Sequence, residues 1–278
     1  MLWGAAILTR SSFALSILMM IGFIFIYRRK LFEGYKSNRI KKAFEYSLLF
    51  IIGLSVVIAP WIIRNKLTMN SFTLATQGGF TFWSGSNPDA TGTWYHNIEE
   101  SNPLFKVEDE VVRDREFYKQ GLEYAVKNPH KFLITGIKKI GYLFSSERMI
   151  LLYFAKSEIG ETSTQVYKAI NPLFIALVNI PYFIIMLFGT WGLLALEKKR
   201  FFIYGFIFMW CFTFFVFVAL ARYHYVLIPF FVLGTVKFWV ERKNIFKKLT
   251  KAKVTAAVVF TVFLLAVWIS EFYLLLTK

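Results

Sequence analysis

The sequence predicts an all-α polytopic membrane protein with about six transmembrane helices and an extracytoplasmic segment that contains short strands and two helices. Three observations predict this class. Hydrophobic residues fill 56% of the 278 positions and mean hydropathy is +0.50, whereas soluble domains are roughly 45–50% apolar. Six apolar stretches can cross a bilayer core, which takes about 20 residues. The net charge of +16 is concentrated in a few connections. A soluble enzyme is therefore excluded.

The apolar stretches define the spans and the division of the chain. They cover 2–27, 44–63, 171–196, 201–220, 223–240 and 254–276. The fourth and fifth stretches follow each other so closely that they favour a tight hairpin. We therefore expect two transmembrane helices joined by a basic loop in 1–63, a long loop in 64–170, and four transmembrane helices in 171–278.

The distribution of charge predicts the topology. Connections 28–43, 197–200 and 237–253 together carry 17 basic and 3 acidic residues, whereas 64–170 carries 13 and 12. By the positive-inside rule the three basic connections are cytoplasmic, so 64–170 and both termini are extracytoplasmic. Because topology accounts for the charge, no nucleic-acid partner is expected. The only cysteine, Cys211, lies within an apolar stretch, which excludes a disulfide framework and a cysteine metal site.

The amino terminus lies directly in the first apolar stretch, without the basic flank and small-residue cleavage site of a signal peptide. We expect a chain whose upstream spans have been lost. The alternative is a genuine start with the amino terminus outside.

The segment 64–170 contains signals for local structure. Stretches 71–75 and 80–83 resemble strands separated by glycines, and 85–92 is rich in turn-forming residues. A helix is predicted over 105–127. A second helix begins at Pro129, and its wide apolar stripe flanked by lysines suits either the outer leaflet or packing on the protein's own loop.

No common catalytic motif is present. The sequence lacks a phosphate-binding loop, a zinc-protease motif and a nucleophile elbow, and its three histidines are scattered. We therefore expect neither a metal nor a cofactor, and the catalytic residue is unknown.

Polar residues near the predicted membrane boundaries are the candidate binding groups. Arginine can bind a lipid phosphate through two parallel hydrogen bonds, and a turn presents short polar side chains at a surface. Snorkelling, interfacial anchoring and a purely structural turn are the ordinary alternatives. The candidates are Arg10, Arg64, Asn87, Asp89, Arg222 and Tyr223.

Several motifs together resemble a known family. They are GAAILTR at 4–10, APWIIRN at 59–65, TQGGFTFWSGSNPDATGTWY at 76–95, EVVRDREFYKQGLEYAVKNPHKF at 110–132 and RYHYVLIPFF at 222–231. Their combination and order resemble the later part of bacterial membrane glycosyltransferases of the GT-C superfamily. The group concerned is of the glycosyltransferase family 39 type and is similar to protein mannosyltransferases and the lipid A aminoarabinose transferase.

This resemblance implies a function in the bacterial cytoplasmic membrane. Family members move a sugar from a polyprenyl-phosphate carrier to a lipid or protein acceptor on the extracytoplasmic side. Their catalytic carboxylate lies on an earlier loop with no counterpart here, so this chain is expected to be inactive alone. Expected partners are the polyprenyl-phosphate sugar lipid, membrane lipids and an upstream transmembrane fragment. The alternative is a non-enzymatic protein that binds a polyprenyl lipid or assembles with other membrane proteins.

Overall fold

The described part of the chain is built from helices. The computed structural model describes residues 1–35, 38–93, 102–147, 170–196 and 200–276, and within these ranges it contains no strand. The α-helices are α1 (Leu2–Thr9), α2 (Ser16–Leu31), α3 (Arg39–Met69), α4 (Gly78–Ser84), α5 (Glu110–Lys127), α6 (Pro129–Leu143), α7 (Pro172–Leu194), α8 (Arg200–Val216), α9 (Ile228–Glu241), α10 (Ile245–Lys248) and α11 (Lys251–Leu276). Short 3-10 helices occupy Ser11–Leu15, Glu33–Tyr35, Pro103–Lys106 and Ala221–Val226.

Four helical stretches among the described residues are long and apolar enough to cross a membrane. They are Ser11–Leu31, Arg39–Met69, Pro172–Leu194 and Lys251–Tyr273. The prediction of an all-α membrane protein is confirmed, whereas six spans are not. Two predicted spans are shorter in the structure. The predicted span 201–220 corresponds to α8, which has 17 residues. The predicted span 223–240 is divided between a 3-10 helix and the 14-residue α9.

The predicted span 2–27 is broken at Arg10. The backbone there is extended, with φ −153° and ψ 109°. The Trp3 indole Nε1 donates a hydrogen bond to Ser16 Oγ at 2.5 Å, although 13 residues of a continuous helix would separate these positions by roughly 20 Å. The chain therefore folds back on itself. Neighbouring serines favour such a break, since their hydroxyls compete for backbone hydrogen bonds, as Ser16 does with the carbonyl of Phe13.

Two compact units make up the structure. The first comprises Met1–Thr135 and Phe201–Val218, and the second comprises Gly136–Arg200 and Ala219–Lys278. Each unit is a group of residues that contact one another. The predicted division at 63 and 170 instead separates membrane spans from a loop, so it stays a prediction.

In the first unit α1 packs closely on α3. Ile7 forms a buried cluster with Leu54 and Ile58. A Cβ atom at Gly4 would lie 2.9 Å from Val57 Cβ, a separation too short for ordinary contact. The small residue at this position lets the two helices approach each other.

Residues 80–83, predicted as a strand, instead lie in α4. The alternation of aromatic and polar residues suggested a strand, but Phe80 and Trp83 are three residues apart and both pack on Phe117 of α5. A Cβ atom at Gly79 would lie 1.9 Å from the carbonyl oxygen of Asp114. Gly79 thus permits backbone contact between α4 and α5, and this contact favours the helix. Residues 71–75 are irregular.

The two predicted loop helices are present as α5 and α6. Asp109 caps α5 by accepting hydrogen bonds from the N–H groups of Val111 and Val112, as acidic N-caps do. Pro129 is the first residue of α6, where its missing N–H costs nothing. Lys139, expected on the polar side of α6, is instead fully buried in the second unit.

In the second unit α7 packs on α9 through glycines. A Cβ atom at Gly192 would lie 1.7 Å from the carbonyl oxygen of Gly234, and one at Gly189 would lie 2.5 Å from that of Phe231. Small residues at such crossings let membrane helices pack backbone to backbone. Helix α11 also packs on α7, where the rings of Phe183 and Trp268 lie 4.2 Å apart.

Candidate functional site

Arg10 lies at the break that follows α1. Its guanidinium carbon lies 5.7 Å from the ring centre of Trp210 and 5.8 Å from that of Phe214, both on α8 in the first unit. Its Nε donates to Ser12 Oγ at 3.1 Å. Cation–π contacts stabilise by about 0.5–2 kcal/mol and partly offset the burial of charge. Arg10 thus lies against two aromatic rings of α8, and its role in lipid binding stays a prediction.

Arg64 lies near the end of α3 with an exposed side chain. Its guanidinium carbon lies 5.2 Å from the Trp61 ring centre, and it donates to Asn65 Oδ1 at 2.9 Å. Asn65 is 2% exposed and donates to the carbonyl of Thr73 at 2.9 Å. Asn65 therefore anchors the segment after α3, whereas Arg64 remains available at the surface.

Asn87 and Asp89 share one turn. The Asn87 amide donates to the carbonyls of Trp83 and Ser84, at 2.9 and 3.3 Å, and its Oδ1 accepts the N–H of Asp89 at 2.8 Å. Asn87 is buried and uses both ends of its amide locally, which favours a structural role. Asp89 is exposed, and a ligand-binding role for either residue stays a prediction.

Arg222 and Tyr223 lie in the second unit, on the 3-10 helix Ala221–Val226. The Arg222 side chain is exposed, and its guanidinium carbon lies 5.6 Å from the centre of the Tyr223 ring. Arg64 and Arg222 follow the outer ends of the predicted spans 44–63 and 201–220, and from this matched depth we predict that they lie near each other. This stays a prediction, because the two residues belong to different units.

His224 anchors this 3-10 helix and is fully buried. Its Nδ1 lies 2.8 Å from the carbonyl oxygen of Leu143, and its Nε2 lies 2.6 Å from Glu147 Oε1. The Tyr182 ring stacks on the imidazole with 4.6 Å between ring centres. Both edges and one face of the ring are thus occupied, so the position of the segment around His224 is fixed.

Glu147 is held from several directions. Tyr225 donates to its Oε2 at 2.5 Å, while Asn179 of α7 accepts its backbone N–H at 2.5 Å and donates to its carbonyl at 3.3 Å. The Glu147 side chain is only 13% exposed. Because both carboxylate oxygens are engaged, we interpret Glu147 as part of the support for the turn and not as a free base.

The hydrogen bonds restrict the protons of this pair. A carbonyl oxygen only accepts hydrogen bonds, so Nδ1 of His224 must carry the proton that Leu143 accepts. A single proton then lies between Nε2 and Glu147 Oε1, on one atom or the other. The pair is therefore either neutral or an ion pair, and in both forms its net charge is zero.

Neither His224 nor Glu147 was predicted as a site residue from the sequence, in which His224 is one of three scattered histidines. Two signals existed: a glutamate in the short segment after α6, which ends at Leu143, and Asn179 as a polar residue within an apolar helix, where such residues usually have a partner. The separation of 77 residues between Glu147 and His224 hides their contact from any local pattern.

Among the described residues no group of three or more His, Cys, Asp or Glu side chains could hold a metal ion. Comparison of the chain with protein-family models, with curated proteins and with solved structures finds no match.

Proposed function

We propose that this chain is the donor-binding part of a membrane glycosyltransferase that moves a sugar from a polyprenyl-phosphate carrier to a lipid or protein acceptor. The transfer would take place on the extracytoplasmic side of the bacterial cytoplasmic membrane, with 64–170 on that side. The shorter helices α8 and α9 would enter the membrane with the four long ones. One observation carries the proposal: Arg222 is exposed on a turn that His224 and Glu147 hold rigidly.

A rigid support suits a phosphate-binding arginine. A functional side chain binds best when neighbouring residues hold its backbone in place before the ligand arrives. The guanidinium presents paired N–H groups that match two phosphate oxygens.

Transfer also requires a base for the acceptor hydroxyl. The oxygens of Glu147 are already bonded to His224 and Tyr225, so Glu147 is not proposed as this base. In the proposed transferase the chain binds the donor and acts together with an upstream transmembrane fragment. A non-enzymatic polyprenyl-lipid-binding protein is the second candidate, since it would use the same binding step without transfer.

The binding step can be tested with undecaprenyl phosphate and the full chain in lipid nanodiscs. Loss of a charged, bidentate contact costs about 1.5–3 kcal/mol, so Arg222→Ala should weaken binding about 10- to 100-fold. Arg222→Lys should weaken it less, because the charge remains while the paired donors are lost. Arg242 is the matched control, since it is also exposed and lies 5.9 Å from the centre of an aromatic ring, that of Trp239.

Equal binding by the Arg222→Ala and Arg242→Ala variants would overturn the proposal. Release of undecaprenyl phosphate from a labelled sugar donor separates the two candidates. Release upon co-expression of an upstream fragment would support the transferase. Binding without release in that combination would support the non-enzymatic protein.

A further inference from the structure

A cleft of about 260 Å³ opens in the first unit between the segment after α3 and one face of α5. We call it the Asp114 cleft, after Asp114, which lines it together with Phe72, Thr73, Thr76, Arg115 and Tyr118. None of these residues takes part in the Glu147–His224 cluster. Asp114, Arg115 and Tyr118 are spaced so that they share one helical face.

The walls of the Asp114 cleft are tied together. Asn65 and Trp61 of α3 donate hydrogen bonds to the carbonyls of Thr73 and Leu74, at 2.9 and 3.0 Å. Across the cleft, Thr76 Oγ1 donates to Glu110 Oε2 at 2.7 Å. The loop wall is therefore fixed to both α3 and α5, so the cleft is preformed.

Asp114 is the central polar group of the cleft. Its Oδ1 accepts the N–H of Gly79 at 2.6 Å, which fixes the carboxyl group. Desolvation raises the pKa of Asp114 above its ordinary value, although hydrogen bonds from the Gly79 and Phe80 N–H groups act in the opposite direction. Burial also raises the pKa of Tyr118, so its hydroxyl stays a donor at neutral pH.

The cleft combines charged, polar and aromatic side chains. It offers a carboxylate, a guanidinium, several hydroxyls and the rings of Phe72 and Tyr118. A phosphate alone would not suit this set, because Asp114 would repel it. A sugar suits it better, since each sugar hydroxyl both donates and accepts and the C–H face of the ring can pack on an aromatic side chain. The cleft volume of about 260 Å³ is sufficient for one small ring.

We propose that the Asp114 cleft binds a single pyranose sugar. Asp114 would accept hydrogen bonds from sugar hydroxyls, Arg115 and Tyr118 would donate to others, and Phe72 would cover the apolar face. The choice of a sugar rests on the proposed function, which requires a sugar site in addition to the phosphate site. The cleft would hold the sugar of either the donor or the acceptor.

The test measures binding of free mannose, glucose and glucosamine to the full chain in nanodiscs by saturation-transfer NMR. At least one sugar should bind, and Asp114→Asn should weaken its binding about tenfold, because a charged acceptor becomes a neutral one. The asparagine oxygen can still accept the Gly79 N–H, so folding should be retained. Glu123→Gln is the control, since Glu123 is exposed on the opposite face of α5 and should leave binding unchanged.

Other outcomes would overturn the inference. One is that no sugar binds, and another is that Asp114→Asn and Glu123→Gln behave alike. Binding of inorganic phosphate without sugar, abolished by Arg115→Gln, would identify an anion site instead. Arg222→Ala separates the two proposals, because it should weaken binding of undecaprenyl phosphate about 10- to 100-fold and leave free sugar binding intact. If sugar binding depends on Asp114 but lipid phosphate binding does not depend on Arg222, the cleft stands and the proposed function fails.

Discussion

At the residue scale, the buried His224 and the partly buried Glu147 determine where the exposed Arg222 can be. Each ring nitrogen of His224 has a partner from the segment at the end of α6, and Tyr225 adds a second bond to Glu147. Buried polar groups are stable only while their partners remain, because an unpaired buried group keeps its full cost of desolvation. The residues of this turn therefore stabilise one another. The effects of substituting them on the free energy of unfolding should not be additive.

We predict that His224→Ala lowers the free energy of unfolding by about 1–3 kcal/mol, because it deprives Glu147 and the Leu143 carbonyl of a partner. Glu147→Ala should have a similar effect, and the double variant should cost less than the sum of the two. Thermal unfolding in one detergent measures all three variants. Tyr225→Phe, which removes one bond, should have a smaller effect. Additive losses would contradict the cooperative turn.

At the element scale, glycines determine which helices can touch. Gly192 and Gly234 bring α7 and α9 into backbone contact, whereas Gly22 of α2 has no atom within 4 Å of the place where its Cβ would lie. Substitution of glycine by alanine should therefore affect stability differently at Gly192 and at Gly22. A neighbouring backbone occupies the place of the new methyl group only at Gly192.

Gly192→Ala should destabilise the protein by about 1–3 kcal/mol, as overpacking does. The new methyl group would lie 1.7 Å from the Gly234 carbonyl oxygen, so α7 and α9 would have to separate. Gly22→Ala is the control and should leave thermal stability unchanged or slightly higher, since alanine is the better helix former. Equal melting temperatures for the two variants would show that the α7–α9 contact is looser than described.

Lys139 of α6 should make stability depend on pH. Burial lowers its pKa from 10.5 to about 7, so between these values the unfolded chain binds a proton that the folded chain does not. The free energy of unfolding should therefore increase as the pH rises from about 7 toward 10.5. It should decrease again as the pH falls toward 7. Comparing the melting temperatures of the wild type and Lys139→Met at pH 7 and pH 9.5 isolates this contribution. A pH dependence that persists unchanged in Lys139→Met would contradict it.

Sequence patterns predicted the long elements better than the local ones. The stretches 44–63, 171–196 and 254–276 coincide with long apolar helices, because length and hydropathy alone identify such helices. Hydropathy does not depend on the direction in which the chain runs. It therefore could not predict the break at Arg10, where the chain folds back. The 80–83 helix depends on its contact with Phe117, which no local pattern contains. Arg222 could be predicted as a candidate from the sequence. The contact between Glu147 and His224 that fixes its turn could not, because these two residues are distant in sequence.

At the scale of the whole molecule, charge and hydropathy together predict how the chain is oriented in the membrane. The basic connections carry 17 Lys or Arg and 3 Asp or Glu, and 64–170 carries nearly equal numbers of both signs. Cytoplasmic loops retain basic residues while long balanced loops translocate. Both proposed sites involve residues that this rule assigns to the extracytoplasmic side, so the orientation is a requirement of the proposed function.

We predict that 64–170 is extracytoplasmic. In a Cys211→Ala background, Asn97→Cys or Ser101→Cys should react with an impermeant thiol reagent in intact cells, because the balanced loop lacks the basic excess that would retain it inside. Ser37→Cys, in the basic connection 28–43, is the matched control and should react only after lysis. If Asn97→Cys and Ser101→Cys react only after lysis while Ser37→Cys reacts in intact cells, the orientation is reversed. Arg222 could not then meet a lipid phosphate on the outer side, and the proposed transfer there would fail with the topology.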